Sequence, residues 1–210
     1  MQSKVARPHR FVTRSDRASG PRKRSGERRV RYHTAMQADR GLRIYLAQKG
    51  ASVRAAASAR PTSHQWRETV EATCTADDAT GVRKLRIRDW QIVGDSGPAF
   101  GGWGLGPSSP ELLCGVISTC LTHTYLIGAA WLGIAIDRVE VTVSAENNDA
   151  RFLDIESVDP PLPFNLTAKV AVNADGTSPA DIETLHAYAR ERCPLTKLIR
   201  TPNELRIEVV

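Results

Sequence analysis

Residues 106–121 read GPSSPELLCGVISTCL, and this stretch decides the fold. A Gly-Pro turn leads into Ser108-Ser-Pro-Glu111, which combines a serine N-cap, a proline in the first turn and a glutamate three residues after the cap. No charged residue interrupts the 25 residues of Leu112–Ile136 that follow. The sequence therefore predicts a long helix from Pro110 to about Gly133.

The uncharged stretch is long enough to cross a bilayer. Its middle, however, contains the polar run Ser118–Thr124 (STCLTHT), which would lie where the hydrocarbon is thickest. No cluster of lysines or arginines closely flanks either end. We therefore expect a fully buried central helix rather than a membrane span, and we expect no membrane partner.

On both sides of this helix, some segments repeat apolar residues with the helical period and others with the strand period of two residues. The pattern predicts a helix over 42–58, strands at 66–74 and 82–93 around a turn at 77–81, a Gly/Pro-rich loop at 94–107, strands at 139–145, 152–157 and 166–172, a helix over 179–192, a short helix after Cys193 and a last strand at 204–210. Runs of strands separated by single helices predict an α+β fold with antiparallel pairing, not a doubly wound sheet.

Residues 1–40 differ in composition from the rest of the chain. They hold 12 lysines and arginines against 3 acidic residues, whereas residues 41–210 hold 17 against 20. The stretch 14–31 contains almost no apolar side chain, so it cannot bury enough surface to offset the entropy of ordering. We expect three parts: a basic disordered tail over 1–35, a helical extension over 36–64 and one folded domain over 65–210.

The charge distribution also bears on partners and location. Because the excess positive charge belongs to the tail, the mildly acidic body would lack the basic face that phosphate binding needs. We expect no nucleic-acid partner for the folded part, although the tail itself could contact nucleic acid or act as an organelle transit peptide. The apolar segment of a secretory signal does not occur, so the expected location is the reducing cytoplasm.

Four cysteines are the first candidates for chemistry: Cys74, Cys114, Cys120 and Cys193. They form no CxxC pair, which argues against a zinc ribbon, and structural disulfides are not expected in a reducing compartment. Cys74 in a predicted strand and Cys114 on the central helix are most simply small core hydrophobes.

Cys120 and Cys193 have more distinctive surroundings. Cys120 lies in the polar turn of the helix, with His123 and Thr124 three and four residues later on the same face. His123 could favour the thiolate if protonated, or it could be a hydrogen-bonded core histidine. Pro194 suits the first position of a helix, so Cys193 is expected at the N-cap, where free N–H groups and the helix dipole stabilise a thiolate.

Three segments together resemble the OsmC/Ohr family. Residues 101–107 (GGWGLGP) resemble its Gly-Gly-x-x-x-Gly-Pro loop, and residues 106–121 resemble the cysteine-bearing helix that follows. Residues 133–143 (GIAIDRVEVTV) resemble the start of its next strand, and Cys193-Pro-Leu195 resembles its second cysteine motif. The similarity covers about residues 65–210 in the right order.

The resemblance implies a fold and an activity. The implied fold is an intertwined homodimer in which curved antiparallel sheets wrap long central helices, which agrees with the α+β order of elements. The implied activity is that of a cysteine-based peroxidase that reduces organic hydroperoxides, with hydrogen peroxide as an open alternative substrate. In this family pattern Cys120 is the peroxidatic thiol and Cys193 the resolving thiol, and an arginine and a glutamate at the dimer interface assist them.

The resemblance assigns the glutamate to Glu111, which lies nine residues before Cys120 where the Ohr branch has ten. The same glutamate could equally serve only as the capping-box partner of Ser108. The family's arginine comes from the region before the glycine loop. Arg83 is carried over as the site arginine, with Arg86 and Arg88 as competitors. The charged residues of this region, Asp89 and Asp95 among them, are expected to lie mostly on solvated strand faces.

The residue types account for the chemistry that the resemblance implies. A free thiol is mostly protonated at neutral pH, and the thiolate is the nucleophile, so an adjacent guanidinium held by a carboxylate would activate it. The Cys120 thiolate attacks the O–O bond and becomes a sulfenic acid, with which Cys193 condenses to a disulfide before over-oxidation. An external dithiol or lipoyl-type reductant then restores the thiols, and no metal or organic cofactor is required.

A second reading is an OsmC-like ligand-binding or stress protein without significant peroxidase activity. Such a protein would use the same pocket for an apolar or electrophilic ligand. The changed spacing of Glu111 is the feature that favours it. The distance between Cys120 and Cys193 separates the readings, because a pair that a disulfide can bridge, with an arginine beside it, supports the peroxidase.

Overall fold

The computed structural model describes residues 41–209; the prediction of a disordered tail over 1–35 lies outside them. The helices are α1 (Leu42–Ala59), α2 (Ser109–Leu132), α3 (Pro179–Arg192) and α4 (Pro194–Arg200). The strands are β1 (Thr73–Ala76), β2 (Arg83–Ile87), β3 (Trp90–Gly94), β4 (Arg138–Glu146) and β5 (Phe164–Asn173). The predicted helices over 42–58, 110–133 and 179–192 and the short helix after Cys193 are all confirmed.

The strands form two separate antiparallel sheets, one of order β1–β2–β3 and one of β4 paired with β5. The predicted strand at 82–93 is two strands, because Arg88 adopts a positive φ of 53° and turns the chain so that Ile87 pairs with Trp90. The β4–β5 pair has a register shift between Ser144 and Glu146. Helices packed with open antiparallel sheets confirm the predicted α+β class.

The ends of α2 follow from its local sequence. Ser108 caps the first turn, and its hydroxyl and the Glu111 carboxylate exchange hydrogen bonds with each other's backbone N–H groups, as in a capping box. Gly133 ends the helix with a φ of 72°, a left-handed conformation that glycine adopts without steric cost. Both the start and the stop of this helix could be predicted from the sequence.

The hydrophobic core lies where α2 meets α1, α3 and the β4–β5 sheet. Its fully buried side chains include Ile136, Leu185 and Cys193. Leu46 of α1 belongs to the same cluster, and Gly50 lets α1 approach α2 so closely that a Cβ there would lie 2.5 Å from the Ala130 carbonyl oxygen. Helix α1 is therefore a packed part of the core.

Helix α2 is less buried than the sequence predicted. Only 28% of its most apolar window is buried, and Val116, Trp131 and Leu132 are about half exposed. By length and composition α2 could cross a membrane, a test that the core helix of a soluble protein also passes. The expectation of a fully buried helix is therefore wrong for the single chain, because no described element covers one of its faces.

Two predicted strands are not formed. Residues 149–153 form a 3-10 helix, with the Asn148 side chain accepting the Ala150 N–H, and Asp154 ends it with a φ of 53°. The predicted strand at 152–157 is thereby excluded. Residues 204–209 have no regular structure, so the predicted last strand is absent over the described part of 204–210. Alternating apolar residues indicate which face of a segment could be buried. A strand forms only if the segment also pairs with the edge of another strand.

Candidate dithiol site

The structure brings Cys120 and Cys193 together across 73 residues of sequence, with their sulfur atoms 3.7 Å apart. Cys120 lies in the middle of α2. Cys193 is at once the C-cap of α3 and the N-cap of α4, its N–H donating to the Ala189 carbonyl and its own carbonyl accepting from Lys197. The corner between the two helices therefore places Cys193 against the face of α2.

The two thiols differ in access. Cys193 is 0% exposed and belongs to the core cluster, whereas Cys120 is only half-buried and packs at its edge. A disulfide requires sulfur atoms about 2.05 Å apart, so the two thiols are unbonded here but close enough to join by a small side-chain movement. A reagent that enters from solvent meets Cys120 first.

The pKa values of the two thiols are shifted in opposite directions. Burial raises the pKa of Cys120, and the neighbouring Cys193 adds to this, although the backbone N–H of Leu195 opposes it. Burial also acts to raise the pKa of Cys193, but the N–H and hydroxyl of Thr196, the Cys120 thiol and the Thr124 hydroxyl outweigh it. The pKa of Cys193 is therefore lowered. The two neighbouring sulfurs therefore shift each other's pKa in opposite directions.

The structure places Glu111 away from the sulfurs. Its carboxylate accepts from the N–H and the hydroxyl of Ser108 at 2.7 and 2.8 Å, and these bonds lower its pKa. Nine residues of α-helix separate it from Cys120, a rise of about 13.5 Å along the axis. In this chain Glu111 acts as the capping-box residue.

Arg83 is engaged with the glycine loop. Its guanidinium donates to the Asp95 carbonyl at 2.6 Å and to the Ser96 hydroxyl at 3.3 Å. The competitors Arg86 and Arg88 are exposed on β2 and in the following turn. None of the three arginines contributes to the pKa shift of either thiol, so the described chain does not bring a guanidinium to the dithiol.

Asp95 is buried in the glycine loop, so the prediction that it lies on a solvated strand face is wrong. It is 2% exposed, and its carboxylate accepts the backbone N–H groups of Ser96, Trp103 and Leu105. The bonds from Leu105 and Ser96 contribute most to lowering its pKa. The loop closes tightly around it, since a Cβ on Gly102 would lie 1.9 Å from the Ser96 carbonyl oxygen. The sequence signal was Asp-Ser-Gly, a turn in which an aspartate bonds its own backbone.

The other candidates lie outside the dithiol. Cys74 is exposed on β1, so its assignment as a core hydrophobe is wrong for this chain, and Cys114 is half-buried on α2. His123 is exposed and is not among the groups that shift the pKa of Cys120. Within residues 41–209, no group of three or more His, Cys, Asp or Glu side chains could hold a metal ion.

Sequence reasoning missed Thr196 and noted Thr124 only as part of a polar turn. Thr196 follows Cys193 by three residues, and its hydroxyl donates to the Cys193 carbonyl at 3.0 Å. Thr124 follows Cys120 by four residues, and its hydroxyl donates to the Cys120 carbonyl at 2.9 Å. What no spacing could reveal is that both threonines are among the groups that act on the pKa of Cys193.

Comparisons with known proteins agree with this architecture. The family model described as OsmC-like protein matches residues 101–208. A crystal structure of an OsmC-like protein from Mycoplasma pneumoniae is 14% identical with a TM-score of 0.54, covering 63% of this chain and 88% of that one. An OsmC-like protein of unknown function from Vibrio cholerae is 14% identical with a TM-score of 0.52, covering 64% and 96%.

A third solved structure bears a functional name. It is an organic hydroperoxide resistance protein from Legionella pneumophila, 19% identical with a TM-score of 0.47, covering 63% of this chain and 90% of that one. No curated protein matches the sequence. At these identities the structural likeness establishes the fold alone.

Proposed function

This chain belongs to the family of OsmC-like proteins, and from that premise we propose that it is a cysteine-based peroxidase that reduces organic hydroperoxides. The observation that carries the proposal is the 3.7 Å separation of the Cys120 and Cys193 sulfurs. A pair this close can pass from two thiols to a disulfide without rearranging the helices that hold it. Hydrogen peroxide remains a second candidate substrate.

In the proposed reaction the half-buried Cys120 attacks first, because Cys193 is closed to solvent. The Cys120 thiolate breaks the O–O bond of the hydroperoxide, keeps one oxygen as a sulfenic acid and releases the alcohol. The Cys193 thiolate then attacks the sulfenic sulfur and expels hydroxide, which leaves the Cys120–Cys193 disulfide. An external dithiol or lipoyl-type reductant returns the pair to two thiols by exchange, and the cycle uses no metal or organic cofactor.

A homodimer is part of the proposal. Burial raises the pKa of Cys120 and no cation is among the groups that shift it, so the proposal takes the activating cation from a second copy. Val116, Trp131 and Leu132 of α2 are about half exposed, and apolar patches of this kind mark interaction surfaces. In the proposed dimer a second copy covers these side chains and supplies the activating arginine and glutamate, for which Arg83 and Glu111 are the candidates.

One observation favours the alternative function, a ligand-binding or stress protein without significant peroxidase activity. Both charged candidates are engaged elsewhere, Glu111 with Ser108 and Arg83 with Asp95 and Ser96. If they remain so in the assembled protein, Cys120 has no cation to activate it. The dithiol would then react only slowly with peroxides.

The test is a thiol count with single-cysteine variants. We expect the reduced wild type to lose two free thiols per chain with one equivalent of cumene hydroperoxide, and mass spectrometry to map the disulfide to Cys120 and Cys193. Cys120→Ser should abolish turnover. Cys193→Ser should reduce one equivalent and then over-oxidise, because no resolving thiol remains.

Cys114→Ser is the matched control, since Cys114 lies on the same helix and is also half-buried. It should keep full turnover and at most lose some stability. Turnover by Cys120→Ser, or a disulfide that includes Cys114, would overturn the assignment of roles. Absence of both oxidation and thiol loss in the wild type would support the ligand-binding alternative.

A further inference from the structure

The contact between α2 and α3 carries an inference that rests on the proposed function and refines it. Besides the two cysteines, Tyr125 of α2 meets His186 of α3, five residues after Cys120 and seven residues before Cys193. The two helices therefore run antiparallel where they touch, because residues further along α2 meet residues further back along α3. Any sliding of α3 along α2 changes the distance between the two sulfurs.

Tyr125 and His186 form the only side-chain hydrogen bond that joins α2 to α3 in the described part of the chain. The Tyr125 hydroxyl lies 2.8 Å from Nδ1 of His186. The two rings also meet edge to face, with centroids 5.6 Å apart and an interplanar angle of 79°. Tyr125 is 3% exposed, so its hydrogen bond lies where such a bond is stronger than in water. Either tautomer of the neutral histidine keeps the bond, because a hydroxyl can both donate and accept.

Apolar packing surrounds this hydrogen bond. Leu185 is fully buried, and α3 approaches α2 so closely that a Cβ on Gly128 would lie 2.6 Å from the ring of Tyr188. Apolar packing is non-directional, so it holds α3 on α2 without defining one register as sharply as a hydrogen bond does. The directional bond between the tyrosine and the histidine is suited to define that register.

His186 is placed to pass this register on to the sulfur of Cys193. Seven residues of α-helix make close to two turns, so His186 and Cys193 lie on the same face of α3, about 10.5 Å apart along its axis. A shift of α3 by one residue would move both of them by about 1.5 Å. The sulfurs are 3.7 Å apart and a disulfide needs about 2.05 Å, so a movement of this size decides whether the bond can close.

We propose that Tyr125 and His186 are positioning residues, whose hydrogen bond fixes the register of α3 on α2 and thereby holds the Cys193 thiol at bonding distance from Cys120. Among the described contacts, neither side chain forms a hydrogen bond to either sulfur, and neither takes part in breaking the O–O bond. Their role lies in the second step, in which Cys193 must reach the sulfenic sulfur before a second hydroperoxide does.

The effect of losing this hydrogen bond can be bounded. The net value of a neutral hydrogen bond is a factor of about five in an equilibrium constant. Without the bond, the fraction of reduced molecules in the correct register should fall by up to that factor, and disulfide formation depends directly on this fraction. A fivefold loss raises the reduction potential of the pair by about 20 mV. Reaction of Cys120 with the hydroperoxide should be unchanged, because it does not require Cys193.

The first experiment measures the disulfide equilibrium and needs no peroxide. The full-length protein is equilibrated without oxygen in glutathione buffers of graded composition, then quenched with acid and alkylated, and mass spectrometry gives the fraction that holds the Cys120–Cys193 disulfide. The proteins compared are the wild type, Tyr125→Phe, His186→Phe, the double variant and Tyr188→Phe.

Tyr188→Phe is the matched control. It removes a hydroxyl from another tyrosine of the same helix contact, whose ring packs on Gly128 but whose hydroxyl bonds to no described residue. We expect the equilibrium constant for disulfide formation to fall by about fivefold in Tyr125→Phe and in His186→Phe, and to keep its wild-type value in Tyr188→Phe. The double variant should lose no more than either single variant, because both substitutions remove the same bond.

Two results of this experiment would overturn the inference. One is a lower melting temperature of Tyr125→Phe, measured by circular dichroism, with an unchanged or raised equilibrium constant, which would mean that the bond only stabilises the fold. The other is a double variant whose loss is the product of the two single losses, since the two side chains would then act independently.

The second experiment follows single turnover with cumene hydroperoxide by rapid quenching, with dimedone to trap the sulfenic acid. Tyr125→Phe should form the sulfenic acid at the wild-type rate and convert it to the disulfide about fivefold more slowly. An unchanged rate of conversion would contradict the role in the second step. If cumene hydroperoxide does not oxidise Cys120 in the wild type, the proposed function fails, while the glutathione equilibrium still decides the role of Tyr125 and His186.

Discussion

The dithiol and the three-stranded sheet differ in how completely one chain surrounds them. The sulfurs lie in a core built from α1, α2, α3 and the β4–β5 sheet, and Cys193 is sealed from solvent. The β1–β2–β3 sheet contributes no residue to that core, and Trp90 on β3 is 69% exposed. Arg83, the candidate cation, belongs to this sheet.

This difference shows which part of the candidate site one chain forms alone, the dithiol, and which part it does not form, a cation beside Cys120. One chain completes the approach of the two sulfurs, because helices packed in the core hold both cysteines. Arg83, which is only a candidate for the activating cation, lies on a sheet that is partly exposed. Apolar surface left in water costs about 25 cal/mol per Å², so a sheet exposed in this way is suited to packing on another surface.

The largest expected effect is a difference in stability between the two regions. Leu185 is fully buried in the core, so Leu185→Ala should lower the free energy of unfolding by about 2–5 kcal/mol. Ile92 on β3 is 38% exposed, and in a chain without a partner Ile92→Ala should cost less than about 1.5 kcal/mol. Urea unfolding of both variants at low protein concentration measures the contrast.

The same pair tests the proposed dimer. If a second copy covers the sheet, the cost of Ile92→Ala should rise with protein concentration, and that of Leu185→Ala should change with it much less. Equal costs at low concentration would show that one chain already buries the sheet as well as the core, which would remove the distinction between the two regions.

A smaller effect on stability is expected when alanine replaces a glycine on a covered helix surface or one on an uncovered helix surface. A Cβ on Gly50 of α1 would lie 2.5 Å from the Ala130 carbonyl, so Gly50→Ala should push α1 from α2 and cost about 1–3 kcal/mol. A Cβ on Gly115 of α2 meets nothing within 4 Å, so Gly115→Ala should stabilise the single chain by about 0.5–1 kcal/mol through helix propensity. Thermal unfolding by circular dichroism distinguishes the two.

Gly115→Ala also reports on the uncovered face of α2. Loss of stability from this substitution, in place of the expected gain, would mean that another copy packs closely against Gly115. Size-exclusion chromatography with light scattering on the same sample would then show a change in mass. A stabilised variant of unchanged mass would place any interface elsewhere.

The smallest effect concerns acid stability. Arg43 of α1 binds the Asp137 carboxylate at 2.5 and 2.7 Å, and this pair, with the Asp175 N–H, lowers the pKa of Asp137 to about 2. A carboxylate with a lowered pKa stabilises the fold fully above its ordinary value of 3.8, and this contribution is lost as the pH falls towards 2. Asp137→Asn should therefore flatten the stability profile between pH 4 and pH 2.

Asp77→Asn is the matched control in the sheet region. Lys84 lowers the pKa of Asp77 to about 2 as well, but the two residues lie in the same hairpin. The Asp137 pair joins α1 to the ends of β4 and β5, so its loss should increase local opening of the start of α1, and the loss of the Asp77 pair should not. The rate of proteolysis within α1 at pH 3 measures this, and it should rise in Asp137→Asn only. Equal cleavage rates in the two variants would contradict the prediction.

The local part of this structure could be predicted from the sequence. The capping box of Ser108 and Glu111, the Gly133 stop and the N-cap position of Cys193 each depend on residues within three or four positions of one another. Such contacts form wherever the helix forms, so the four helices were predicted from the sequence, whereas the strands at 152–157 and 204–210 were predicted wrongly.

Only the tertiary structure decided which groups meet across long separations. The 3.7 Å between the two sulfurs spans 73 residues and depends on how α3 and α4 pack against α2. The same packing buries Cys193 completely and leaves Cys120 half-buried. The alternation at 204–209 fixes a face but supplies no pairing edge, so no strand forms there. Sequence periodicity determines what a segment can become, whereas its partners are set by the packing of surfaces distant in the chain.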